Sequence, residues 1–218
     1  MGSLAKELDA FTRALIDRTC LENACVLRKL TDAPQACETA YREGDVAPDF
    51  TLPDQFGHPV SLAQQLKKGP LVLLFVRGGW SPFCEITMRA YDRSRPLLRG
   101  AGGDVLAISP QAPAQNLATA EANWLSLPVL SDRGGEVARR YGLMRPVDDE
   151  HRELFLRLGH DIPRLNGIES WELPVTAIYV IRHDGVIARA HTDPRGMKRM
   201  EPADAIAAVR EETMRAVA

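Results

Sequence analysis

Leu71–Arg89, LVLLFVRGGWSPFCEITMR, is the stretch from which the rest of the chain can be read. Leu71 to Val76 is an unbroken apolar run rich in branched side chains. A run of that length, bounded by a breaker, reads as a strand buried on both faces. Arg77-Gly78-Gly79-Trp80 ends the run and turns the chain. Ser81-Pro82 then reads as a helix start, with Ser as N-cap and Pro at the first helical position, where its missing N–H loses no helical partner. Cys84 therefore falls in the first helical turn. Free N–H groups and the positive end of the helix dipole point at that turn and favour a thiolate, the nucleophilic form of cysteine. Two readings of Cys84 stand open at this stage, an activated nucleophile and a small buried hydrophobe. Ser81 is likewise open between a helix cap and a hydroxyl that meets a substrate.

Outward from this unit, the chain alternates strands and helices. Upstream, Asp45 to Leu52 reads as an extended segment, Pro53 to Gly57 as a turn, and His58 to Ser61 as a return strand, with Ser61 capping a short helix through Leu66. Downstream, the central helix should run from Pro82 to about Ser94, because Pro96 must kink or end it. Asp104–Ser109 is a buried strand and Ala112–Ala122 a helix. Pro128–Leu130 is a short strand and Gly134–Tyr141 a short helix. Asp148–Leu158 reads as an inserted helix, and Gly159–Glu172 as a loop with a turn at Asn166-Gly167. Val175–Ile181 and Val186–His191 form a hairpin across His183-Asp184-Gly185, and Pro202–Val217 is a closing amphipathic helix. Strands alternating with helices plus one late hairpin argue an α/β domain with a mixed sheet. Glu85 and Arg89, four apart on the central helix, suggest an ion pair. Trp124 and Trp171 read as core or interface residues. The five histidines lack metal spacing and read as surface or turn residues.

The 218 residues carry a net charge of −2, with 45% hydrophobic and 26% charged side chains, which is ordinary for a globular protein. That balance offers no general attraction to nucleic acid or to an anionic membrane. No apolar run is long enough to span a bilayer, and the amphipathic start MGSLAKELDAF does not read as a secretory signal, so a cytoplasmic location is expected. The helical periodicity of Leu4 to about Leu30 marks an N-terminal arm over residues 1–43, ahead of a compact domain at 44–218. Cys20, Cys25 and Cys37 all fall in the arm. Their spacing does not match zinc ligands, no metal or other cofactor is expected, and one of them could serve as a resolving thiol for Cys84 if the fold brings it near.

Gly44-Asp45-Val46-Ala47-Pro48-Asp49-Phe50-Thr51-Leu52-Pro53 resembles the opening motif of peroxiredoxins of the alkyl hydroperoxide reductase and thiol-specific antioxidant group. Ala107–Gln111, Pro128–Asp132, Ser170–Pro174 and Tyr179–Ile187 are similar to the same group. The resemblance implies a thioredoxin-like, peroxiredoxin-type mixed sheet flanked by helices. It implies a thiol-dependent peroxidase acting on hydrogen peroxide or organic hydroperoxides, re-reduced by a thioredoxin-like protein or a low-molecular-weight thiol, and a possible homodimer. Cys84 takes the position of the peroxide-attacking sulfur. Ser81 and the Cys84 N–H would hold the peroxide oxygens, and Trp80, Pro82, Phe83 and Thr176 would border the substrate. The related subgroup carries Arg-Gly-x-Trp-Cys-Pro-x-Cys, so Ser81 replaces a first cysteine. Ordinary members carry an activating Arg near the position of Thr176, and this chain does not, which leaves Arg77 or an arginine not evident from sequence to stabilise the sulfur. Two alternatives follow from these departures. One is a thiol–disulfide oxidoreductase whose first cysteine is replaced by Ser81. The other is a binding or biosynthetic protein on the same fold.

Overall fold

The computed structural model describes residues 3–18 and 37–217. Its centre is a five-stranded mixed sheet in the order β5-β4-β3-β8-β9, built from β3 (Leu71–Phe75), β4 (Asp104–Ser109), β5 (Val129–Ser131), β8 (Thr176–Ile181) and β9 (Ile187–Asp193). β3 runs parallel to β4, pairing Phe75 with Ile108, and antiparallel to β8, pairing Phe75 with Ala177. β1 (Thr51–Pro53) and β2 (Pro59–Ser61) form a separate hairpin leading into the short helix α2 (Leu62–Leu66). A second small pair joins β6 (Met144–Pro146) to β7 (Glu172–Pro174). This is the α/β domain with a mixed sheet that the sequence pattern argues, in the thioredoxin-like arrangement that the resemblance implies.

Every residue of β3 is buried, because the strand is covered on both sides. Its alternation divides the core in two. Leu71, Leu73 and Phe75 face one cluster, with Cys37, Tyr141 and the α5 helix (Glu136–Arg140). Val72, Leu74 and Val76 face the other, under α3 (Pro82–Gly100), α8 (Pro202–Val217) and the arm helix α1 (Leu4–Arg18). Cys84 belongs to the second cluster, so the two thiols lie on opposite sides of the sheet.

Several expectations are revised. α3 does not stop near Ser94 but continues through Pro96 to Gly100. An internal Pro costs about 3 kcal/mol. The turns beyond it are held by buried Leu98 and by Arg95, which makes a 2.7 Å ion pair to Asp104 on β4. The segment after α6 (Asp149–Arg157) is not all loop: it contains α7 (Ile162–Asn166), ended by Gly167 in the left-handed conformation, and then β7. Glu85 and Arg89 meet through Asn123, whose amide donates to Glu85 at 2.9 Å and accepts from Arg89 at 3.0 Å. Trp124 is 91% exposed, with a positive φ just past α4 (Pro113–Ala122), so it is not a core residue. Among the described residues, no helix is long and apolar enough to cross a membrane.

Candidate active site

The chain leaves β3 at Val76, which still bonds to Ile108 of β4, and then makes the Arg77–Trp80 turn. Gly78 has φ +127, and a Cβ on it would lie 2.6 Å from the Gln111 side chain. The same Gln111 oxygen accepts from Gly79 N–H at 2.8 Å. The positive φ selects glycine at 78, and a Cβ on Gly79 would lie 2.0 Å from the Thr119 hydroxyl, so each glycine of the pair has its own reason. The turn delivers Ser81 to the N-cap and Pro82 to the first position of α3.

Cys84 has 0% exposure by residue area, yet it lines a cavity of about 200 Å³. The backbone N–H of Arg77 donates to its sulfur at 3.3 Å, so the turn and the helix meet at this atom. The Ser81 hydroxyl makes no cap hydrogen bond and borders the same cavity, which leaves it available to a ligand. The expectation for the Cys84 N–H is revised: it already donates to the Ser81 carbonyl at 2.9 Å, an oxygen that also accepts from Glu85 at 3.0 Å.

Two guanidiniums flank the sulfur. Arg77 is fixed by the carbonyls of Pro174 at 3.4 Å and Pro194 at 3.1 Å, and the bare Cα of Gly196 faces it. Arg199, 8% exposed, donates to the Lys198 carbonyl at 2.6 Å, interacts with the Cys84 sulfur, and leaves its Nη2 without a protein partner among the described residues. Burial lowers the proton affinity of both arginines, and attraction to Cys84 works against that lowering. The loop that carries Arg199 is organised by Asp193, whose carboxylate accepts from the N–H groups of Arg195, Met197 and Lys198 at 3.1, 2.7 and 2.5 Å. Thr176, expected at the substrate, does line the cavity, and its hydroxyl donates to the Asp193 carbonyl at 3.1 Å.

The structure thus gathers Arg77, Trp80, Ser81, Pro82, Phe83, Cys84 and Thr176 around one cavity. Cys37 is apart, across the sheet, and Cys20 and Cys25 lie outside the described residues. Sequence reasoning missed Arg199, although three cations within Arg195-Gly196-Met197-Lys198-Arg199 follow directly on a strand end. It also missed His160 as a site residue: half-buried, it lines the cavity, its ring lies 5.1 Å from that of Trp80, and burial holds its pKa below the usual histidine value.

Residues 44–190 match the AhpC/TSA family. The chain is 35% identical over 106 residues to chloroplastic peroxiredoxin Q of Gentiana triflora, a match covering 49% of this chain and 48% of that one. It is 31% identical over 122 residues to peroxiredoxin Bcp of Escherichia coli, covering 53% of this chain and 78% of the relative. The chain therefore spans about half the length of the chloroplastic relatives it matches. Among solved structures, peroxidoxin BcpB of Mycobacterium tuberculosis superposes with a TM-score of 0.61 at 23% identity, over 78% of this chain and 97% of that one. A peroxiredoxin-like protein from Aquifex aeolicus gives 0.62 at 17% identity, over 79% and 88%. These likenesses agree on the fold, and the match across residues 44–190 decides the family: the chain belongs to the AhpC/TSA family, as a peroxiredoxin-like protein of the thioredoxin superfamily.

Proposed function

We propose that the protein is a thiol-dependent peroxidase in which Cys84 attacks the hydroperoxide. The observation that carries this reading is the placement of the Cys84 sulfur in the first turn of α3, on a cavity it shares with Arg77, Arg199 and the Ser81 hydroxyl. The sulfur attacks the terminal peroxide oxygen, an S–O bond forms as the O–O bond breaks, and the leaving alkoxide or hydroxide takes a proton. Cys84 ends as a sulfenic acid. Negative charge moves from sulfur to the departing oxygen during this step. Fixed guanidiniums on both sides stabilise it throughout, with little reorganisation. The unpartnered Nη2 of Arg199 and the Ser81 hydroxyl are the groups we assign to the peroxide oxygens. Arg199 then does the work of the arginine that ordinary family members carry near the position of Thr176.

A thiol attacks the sulfenic sulfur and releases water, giving a disulfide that a second thiol reduces. We assign this reductant to a thioredoxin-like protein or a low-molecular-weight thiol. Of the arm cysteines, Cys20 and Cys25 lie outside the described residues, and both stay open as resolving candidates. Cys37 would have to cross the sheet.

The test is steady-state turnover. With dithiothreitol as reductant, the full chain should consume hydroperoxide catalytically and Cys84→Ser should not. Equal consumption by the two proteins would remove the assignment.

A further inference from the structure

Around the Cys84 sulfur the cavity is polar, and apart from His160 and Arg195 the rest of its lining is mostly apolar. Phe83 and Trp80 rise from the active turn, Phe155 and Leu158 come from the end of α6, and Phe11 and Leu15 come from the arm helix α1. α1 lies outside the residues that match the family, and so does Arg199.

α1 is firmly docked. Leu4 and Leu8 are buried against the sheet's helical layer. The Glu201 carboxylate caps its start, accepting from the Ser3 hydroxyl at 2.6 Å and from the N–H groups of Leu4 and Ala5 at 2.9 and 2.8 Å. Arg93 pairs with Glu7 at 2.9 Å. Further along, Phe11 packs edge-on against Phe83, with ring centroids 5.1 Å apart. Glu201 follows Arg199 by two residues, so one short segment both anchors α1 and supplies a guanidinium to the sulfur.

Size and polarity identify what such a cavity accommodates. A water takes up about 30 Å³ of liquid, and an apolar cavity of about 150 Å³ accepts benzene. A cavity of about 200 Å³ is therefore much larger than hydrogen peroxide needs and suits a ring or a short branched alkyl group. Hydrogen peroxide, polar at both ends, would leave the aromatic walls facing unfilled space or poorly bonded water. An organic hydroperoxide places its O–O bond in the polar region around the Cys84 sulfur and its carbon body against the apolar lining.

We propose that α1 is the substrate-selecting wall of this site, with Phe11 and Leu15 holding the organic group of an alkyl or aryl hydroperoxide above Cys84. This rests on the peroxidase reading. Preference for a bulky hydroperoxide then comes from the arm rather than from the shared domain.

The experiment measures kcat/KM of the full chain for cumene hydroperoxide and for hydrogen peroxide, with dithiothreitol as reductant, and takes their ratio. The wild-type ratio should exceed one. Phe11→Ala combined with Leu15→Ala should lower it by about tenfold, the scale of losing methylene-sized contacts in an apolar pocket. Leu15→Trp, which fills the cavity and keeps α1 apolar, should lower it in the same direction if the alanine variant is unstable. A ratio within about twofold of wild type in both variants overturns the proposal, as does a wild-type ratio below one. Consumption of neither peroxide by the wild type would instead remove the peroxidase reading beneath it.

Discussion

Cys37 and Cys84 are both buried free thiols, and each has an arginine beside it, but their surroundings are opposite in kind. Arg145 donates to the Cys37 sulfur at 3.1 Å, and that sulfur donates in turn to the Gly142 carbonyl at 3.6 Å. It acts as a link in a loop clamp that also contains Thr39. The open cavity beside it is bordered by Glu38 and Glu43 as well as Arg42. Cys84 accepts from a backbone N–H, sits in the first turn of a helix, and shares its cavity with Arg77, Arg195 and Arg199. On the proposed reading, the difference teaches that a guanidinium touching sulfur is not sufficient for chemistry: the sign of the surrounding charge, the helix end and a shared cavity have to coincide.

The largest effect expected from this contrast concerns the arginines. Arg199→Met should lower kcat/KM for hydroperoxide by on the order of 10²-fold, as removal of one preorganised charge donor does. Arg145→Met, at the other thiol, should change it by less than about twofold, whatever it does to stability. Similar losses in both would erase the distinction.

A pair of glycines sharpens it next. Gly142 has φ +69, and a Cβ there would lie 1.9 Å from the Thr39 carbonyl, a backbone atom that cannot swing aside. Gly142→Ala should destabilise the fold by about 2 kcal/mol or more, in the range of strained or overpacked sites, while the folded fraction keeps its peroxidase rate. Gly196→Ala, at φ +74, carries backbone strain too, but its Cβ also meets the Arg77 guanidinium at 3.1 Å, so the folded fraction should itself lose rate. Chemical denaturation and turnover, measured on both variants, separate the two outcomes.

Ser81→Ala should have a smaller effect. Its hydroxyl caps nothing, so thermal stability should hold within a degree or two, unlike the roughly 1 kcal/mol loss of an ordinary cap. The peroxide rate should fall about fivefold, the value of one neutral hydrogen bond. A stability loss with an unchanged rate would reassign Ser81 to the helix start.

The smallest effect is in pH. Burial lowers the pKa of His160, so the unfolded chain, titrating near about 6.5, takes up a proton more readily than the folded one. The stability contribution is complete above that value and is lost as pH falls towards the folded pKa. The melting temperature should therefore drop between about pH 7 and 5, and His160→Gln should flatten that slope. A steeper slope in the variant would reverse the sign assigned here.

Much of this molecule was legible locally. The Leu71–Val76 run, the Gly-Gly break and Ser-Pro each act over a few residues, so strand, turn and helix start could be read directly. β7 could not: Glu172-Leu173-Pro174 is too short to show a period, and only its pairing with Met144–Pro146 makes it a strand. The continuation of α3 past Pro96 was hidden because Arg95 is held by Asp104, a tertiary contact that overrides a local breaker. Arg199, Phe11, Leu15 and His160 reach the site from separate loops and helices, and nothing in their own neighbourhoods announces a common cavity. Cys84 was legible as a candidate because the helix start it sits on is written in the adjoining Ser81-Pro82.

The most direct test of the central claim is to find which sulfur reacts first. The reduced protein is mixed with less than one equivalent of hydroperoxide, sulfenic acid is trapped with dimedone, and the modified peptide is identified by mass spectrometry. The label should fall on the Cys84 peptide within the first turnover while Cys37 stays unmodified. A label appearing first on Cys37, or on no cysteine while peroxide is consumed, would contradict the account.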